Sequence, residues 1–245
     1  MRYIIFSVLI FSFLMIDCDL NAQKIDSTYD DSTSDSLNTD MIEKEENSEE
    51  FYVSKKRKAL YDIRKLRENG LVVILRTSSS RLEKLRFLSR NQQLSEVQQQ
   101  TLQLRVQEIE QENEIINQSL IKAFSANYYF SDVHFIYDSS LTQLKNGVQQ
   151  GIFVNENGKI DTSIELNTED YFICNYTLAS TSKEIEGLVI YNSKMEKVKE
   201  PFPGVAVSGS SGLNMLLQLF TDDKKYLERK IVKDAEKLQR NLSTF

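Results

Sequence analysis

The run Leu71-Val-Val-Ile-Leu75 constrains this chain more than any other stretch of its sequence. A continuous apolar run of strand length has no polar face, so the strand it forms must be covered on both sides. Just upstream, Phe51 to Glu68 has helical character and ends at Asn69-Gly70, a strong stop signal. Downstream, Arg81 to Phe124 is again helical in character, with an Asn/Gln-rich break around Asn91 to Gln93. A doubly covered strand between two helical segments commits the chain to layers of helix on sheet.

The remaining pattern extends that sheet. Val133 to Tyr137 predicts a second strand, followed by Asp138-Ser139-Ser140 and a short helix to Asn146-Gly147. Asn157-Gly158, between Gly151–Val154 and Lys159–Leu166, is a hairpin signal. Tyr171 to Leu178, Gly187 to Asn192 and Val205 to Val207 supply further strands, the last after the Pro201-Phe202-Pro203-Gly204 break. Leu213 to Leu242 predicts one or two closing amphipathic helices, with a candidate start at Asp222-Asp223. The expected fold is α/β: a single three-layer domain over residues 51–245. It has a mixed β-sheet, a long helix (continuous or broken) after the first strand, and a C-terminal helix. Within the long helix Leu102, Val106, Ile109, Ile116, Leu120 and Phe124 form one stripe, interrupted by Asn113. Such a stripe packs on the sheet or projects as an arm, and an envelope protein partner through this helix is one expectation.

The N-terminus reads differently. Arg2, the apolar run Tyr3 to Ile16 and the closing Asn21-Ala22 have the layout of a secretory signal peptide over residues 1–22. The run is shorter than the ~20 residues that span a bilayer, so no transmembrane span is expected after cleavage. A lipoprotein anchored at Cys18 is the alternative, disfavoured by the charge of Asp17. Between Asp26 and Glu50, ten carboxylates face one cation, Lys44, which predicts a disordered acidic linker over residues 23–50. The chain's formal charge of -6 therefore hides a mildly basic remainder, much of it in Lys55-Lys56-Arg57-Lys58. On an exported protein that run reads as a solvated helix face, not a nucleic-acid site, with anionic lipid or polysaccharide as a minor alternative. Loss of Cys18 with the leader leaves Cys174 unable to form an internal disulfide.

Ligands of open α/β sheets sit beyond the carboxyl ends of the strands. The polar clusters following the first two strands therefore supply the candidate ligand-binding residues Arg76, Ser78, Ser79, Asp138 and Ser139. Serine N–H groups at a helix start, beside an arginine, suit a small anion. The simpler expectation is that the serines and aspartate cap the helices that follow. His134 is the single histidine, so zinc ligation lacks partners and no metal is expected. Ser208-Gly-Ser-Ser-Gly212 lacks both the nucleophile-elbow and the phosphate-loop spacing.

The order strand, helix, strand, then Gly187-Leu-Val-Ile-Tyr191 with a turn at Asn192 to Met195, resembles a thioredoxin-type layout. Ser78 to Arg81 stands where that family carries Cys-x-x-Cys, and no proline immediately precedes Gly187, so the resemblance implies an outline without thiol chemistry. Across residues 55–245 the chain is similar to exported bacterial α/β proteins of no known function. The functional expectation is a non-enzymatic binding or interaction domain, periplasmic or secreted, without a cofactor. The alternative is a hydrolase or transferase acting on a small anionic substrate at the strand ends.

Overall fold

The computed structural model describes residues 39–91, 93–180, 185–208 and 223–245. The expected leader, most of the acidic linker and the Gly209–Gly212 segment lie outside them. The chain divides into two units, residues 1–45 and 46–245, and the second carries the sheet. Strands β1 (Leu71–Leu75), β2 (Val133–Tyr137), β3 (Phe153–Val154), β4 (Phe172–Ser180), β5 (Ile185–Asn192) and β6 (Val205–Ala206) form one sheet. Its order is β3-β2-β1-β4-β5-β6. β1 pairs in parallel with β2 and β4, and the outer pairs are antiparallel, so the sheet is mixed as expected.

Five helices occur among the described residues: α1 (Thr39–Asn69), α2 (Ser79–Ser89), α3 (Glu96–Asn127), α4 (Leu141–Lys145) and α5 (Asp223–Ser243). Alternation along β1 sorts the core into two faces. Leu71, Val73 and Leu75 join Leu66 of α1, Leu120 and Phe124 of α3, and Ile231 and Leu238 of α5 in the larger cluster. Val72 and Ile74 pack beneath with Ile136, Leu144 of α4, Phe153 and Leu166. The third layer is thus thin, made of α4 and irregular chain rather than long helices.

Two elements differ from the sequence reading. α1 begins at Thr39, upstream of the expected Phe51, so the last part of the acidic segment is helical. Its Glu and Lys residues are good helix formers, and carboxylates near a helix N-terminus meet the positive end of its dipole. The Asn157-Gly158 turn is present, with Gly158 at φ +74°, but only Phe153 and Val154 form a strand there. The return arm touches it through single bridges, Val154 with Ile160 and Gln150 with Glu165. Asp161 diverts that arm by accepting from Ser163 Oγ at 2.6 Å and Ser163 N at 2.9 Å, a local alternative to the ladder. The helical stretch after β1 is broken as anticipated, and Ser95 opens α3 with a capping box to Gln98.

The apolar stripe of α3 serves two places. Ile116, Leu120 and Phe124 enter the main core, while Val106 and Ile109 meet only Leu82 and Leu85 of α2. From Val106 onward the stripe is covered by its own domain, and so offers no face to a partner. His134 shares the thin-layer face with Ile136, its ring 5.4 Å from Phe153. Burial lowers its pKa below the usual 6.5, opposed by Asp132. The unfolded chain then takes up the proton first, so this contribution to stability is complete above about pH 6.5 and is lost as pH falls below it. Urea titrations at about pH 7.5 and about pH 5.5 should show His134→Gln losing less stability over that interval than the parent chain.

Candidate functional site at the strand ends

The parallel strands β1, β2 and β4 end at one edge of the sheet, and the candidate residues lie there. The turn after β1 needs an unusual backbone: Ser78 precedes α2 at φ +53°, in the left-handed region that costs a non-glycine residue about 1 kcal/mol or more. Asp138, at the end of β2, holds it there. Its carboxylate accepts from Thr77 N at 3.1 Å, from Ser78 N at 3.3 Å and from the Thr77 hydroxyl. With its proton given to Asp138, Thr77 Oγ1 accepts from Ser79 Oγ at 2.6 Å. The Thr77 and Ser78 N–H groups before α2 are therefore taken by a carboxylate of the chain itself, that of Asp138.

Simple helix capping does not describe these residues. Ser78 occupies the N-cap of α2 without a side-chain cap bond, and its Oγ donates instead to Asn113 Oδ1 at 3.2 Å. That bond explains the polar interruption of the α3 stripe, because a buried amide needs a partner. One turn along, Asn117 closes a reciprocal pair with the Arg76 backbone: Arg76 N donates to Oδ1 at 2.7 Å, and Nδ2 donates to Arg76 O at 2.8 Å. Ser79 and Ser139 are exposed.

Arg76 belongs to a different neighbourhood. Its guanidinium crosses β4, donates to Tyr176 O, and pairs with Glu186 of β5 at 2.9 Å. Asp138 faces the β1–α2 turn, so the two charged groups expected to share one ligand are bound to separate partners. The guanidinium lies 5.3 Å from the Tyr176 ring centroid, and Lys230 Nζ of α5 lies 5.2 Å from it. Lys230 also donates to Glu186 O at 2.6 Å and to Asp234 Oδ2 at 2.8 Å. Asp234 is fully buried and accepts from Ser208 N. Burial, with Glu186 and Asp234 nearby, raises the Tyr176 phenol strongly. Its hydroxyl is buried with no hydrogen-bond partner among the described residues.

This Arg76–Tyr176–Glu186–Lys230–Asp234 cluster did not emerge from sequence. Its available signal was a Lys/Asp pair at i, i+4 in α5, with the aspartate adjoining the apolar positions Ile231, Ala235 and Leu238. Cys174 is buried between β1 and β5 and its thiol pKa is raised by that burial, which suits a structural hydrophobe. Among the described residues no group of three or more His, Cys, Asp or Glu side chains is placed to hold a metal ion. None of their helices is long and apolar enough to cross a membrane.

A cleft of about 320 Å³ opens over this edge, lined by Thr77, Asn113, Asn117, Tyr137 and Gly158 among others. Some of its polar groups are bound within it: Asn117 pairs with the Arg76 backbone, and Tyr137 OH donates to Gly158 O at 2.7 Å. Fold and site together define a mixed α/β domain whose strand ends are locked by internal polar bonds. No protein-family model matches the chain, and neither a curated protein nor a solved structure shows significant similarity to it. The thioredoxin-type outline therefore carries no further argument.

Asp138→Ala strips the turn of its acceptor and leaves two N–H groups and a hydroxyl without their partner. The expected cost is about 1–3 kcal/mol in urea unfolding, with faster amide exchange at Thr77 and Ser78. An unchanged stability would mean that the carboxylate does not hold this turn.

Proposed function

We propose that this chain is an exported domain of the periplasm or cell envelope that acts by binding a partner rather than by catalysis. The observation that carries the reading is the occupation of the strand-end groups: Asp138 by Thr77 and Ser78, Arg76 by Glu186 and the Tyr176 carbonyl, Ser78 by Asn113. A general base or nucleophile must reach a substrate atom within hydrogen-bond distance, and these groups spend their bonds on the fold. The leader layout of Met1 to Ala22 supports export. The competing reading, a hydrolase or transferase for small anions, needs Arg76 and Asp138 on one ligand, against their separate engagements.

Fractionation and in-cell crosslinking test this reading together. The tagged full chain should fractionate with the envelope or periplasm and crosslink there to a reproducible component. Residence in the cytoplasm would overturn export. Turnover of phosphate- or carboxylate-bearing substrates that Asp138→Asn abolishes, with the fold intact, would overturn the non-enzymatic assignment.

A further inference from the structure

Away from the strand ends, a groove of about 970 Å³ runs between the middle of α1 and the chain joining β5 to β6. Tyr52 and Lys55 stand three residues apart on α1 and form one wall. Lys197, Lys199, Pro201 and Pro203 contribute to the other. The second wall is anchored from beneath. Phe202 is buried and stacks on Phe172, centroids 6.0 Å apart and planes within 7°. Val198 is partly buried against the main core, and its N–H donates to Ile190 O at 3.2 Å.

That anchoring fixes where the lysines point. Lys197 pairs with Tyr191 in an antiparallel bridge, so the chain is extended there, and Val198 faces inward. Its neighbours Lys197 and Lys199 are exposed, two residues apart, a step of about 6.6 Å in extended chain. Neither makes an ion pair among the described residues. Tyr52 is 61% exposed, a large aromatic surface beside these cations. Glu200 is the one carboxylate among the described residues of the lining. At the strand ends Arg76, Asn113, Asn117 and Asp138 are bound to partners within the fold, whereas this groove presents Lys197, Lys199 and the Tyr52 ring outward.

We propose that this groove binds an extended, acidic peptide segment of a partner protein, with carboxylates at alternate residues. The inference rests on the binding-domain reading above and names the partner chemistry. Alternate side chains of an extended peptide repeat at the same distance that separates Lys197 from Lys199, so two successive carboxylates meet two ammonium groups in register. Proline walls lose little conformational freedom on binding, and the tyrosine ring covers the aliphatic parts of the peptide. The groove sets its cations between two walls, whereas an anionic membrane would need a broad basic surface.

The test is fluorescence anisotropy of the full chain with a labelled peptide of alternating glutamate and threonine, about eight residues or ~26 Å when extended. Saturable micromolar binding that weakens as salt rises is expected, with no binding of the lysine–threonine counterpart. K197E/K199E should weaken it by about tenfold or more with an unchanged melting temperature, and Tyr52→Ala should weaken it with the charges intact. No saturable binding, or equal binding by the charge-reversed variant, would overturn the proposal. Tighter groove-dependent binding of polygalacturonate or of phosphatidylglycerol vesicles would also overturn the peptide assignment while leaving a binding domain in place. Failure of export or a demonstrated turnover would instead strike the broader reading.

Discussion

Asp234→Ala is expected to cost about 3–5 kcal/mol of folding stability, one of the two largest effects of a single side chain in this protein. Asp234 is fully buried, and its carboxylate meets Lys230 at 2.8 Å and the Ser208 N–H. Truncation leaves the ammonium of Lys230, a side chain only 13% exposed, with the Glu186 carbonyl and no bonded counter-charge. A desolvated cation without a partner costs more than the ion pair contributes when intact. The double replacement Lys230→Met with Asp234→Leu should therefore recover most of the loss, because it removes both desolvated charges. Equilibrium urea unfolding of the two single variants and the double variant checks this. A double variant as unstable as the sum of the singles would mean that the pair is not the unit.

The second large effect separates the two halves of α3. Phe124 is almost fully buried in the main core, its ring 5.4 Å from Tyr128. Phe124→Ala should cost about 3–5 kcal/mol through lost burial and the cavity left behind. Val106 belongs to the small cluster with Leu82 and Ile109, and Val106→Ala should cost about 1.5 kcal/mol. Hydrogen exchange distinguishes them by pattern as well as size. Phe124→Ala should accelerate exchange across β1 and α3 together, while Val106→Ala should accelerate it mainly in α2 and the first turns of α3. Equal effects on the sheet would show that the α2–α3 hairpin unfolds with the domain as one unit.

Groups that act locally were legible in the sequence, and groups that act across the fold were not. The stop at Asn69-Gly70 has a local cause: Gly70 takes φ +84° and its N–H returns to Leu66 O at 3.1 Å. The break between α2 and α3, the doubly buried β1 and the strand after Ser131-Asp132 likewise follow from neighbouring residues. Asn113 could be seen to interrupt a stripe, but its partner Ser78 lies 35 residues earlier and is found only when α3 folds against the β1–α2 turn. Arg76 was correctly placed at a strand end. Its direction was decided by Glu186, 110 residues later, because β5 joins the same sheet beyond β4.

The sequence by itself determined the α/β class, the burial of β1 and the position of a polar edge beyond the parallel strands. Hydrophobic periodicity and turn residues act over a few positions, and those features need nothing more. Only the tertiary structure decided which polar groups at that edge remain available. Charges and hydrogen bonds are settled by distance in space, and the sheet brought Asp138 to the β1–α2 turn and Glu186 to Arg76. The same geometry left Lys197 and Lys199 facing outward on an anchored, extended wall, where a partner can reach them.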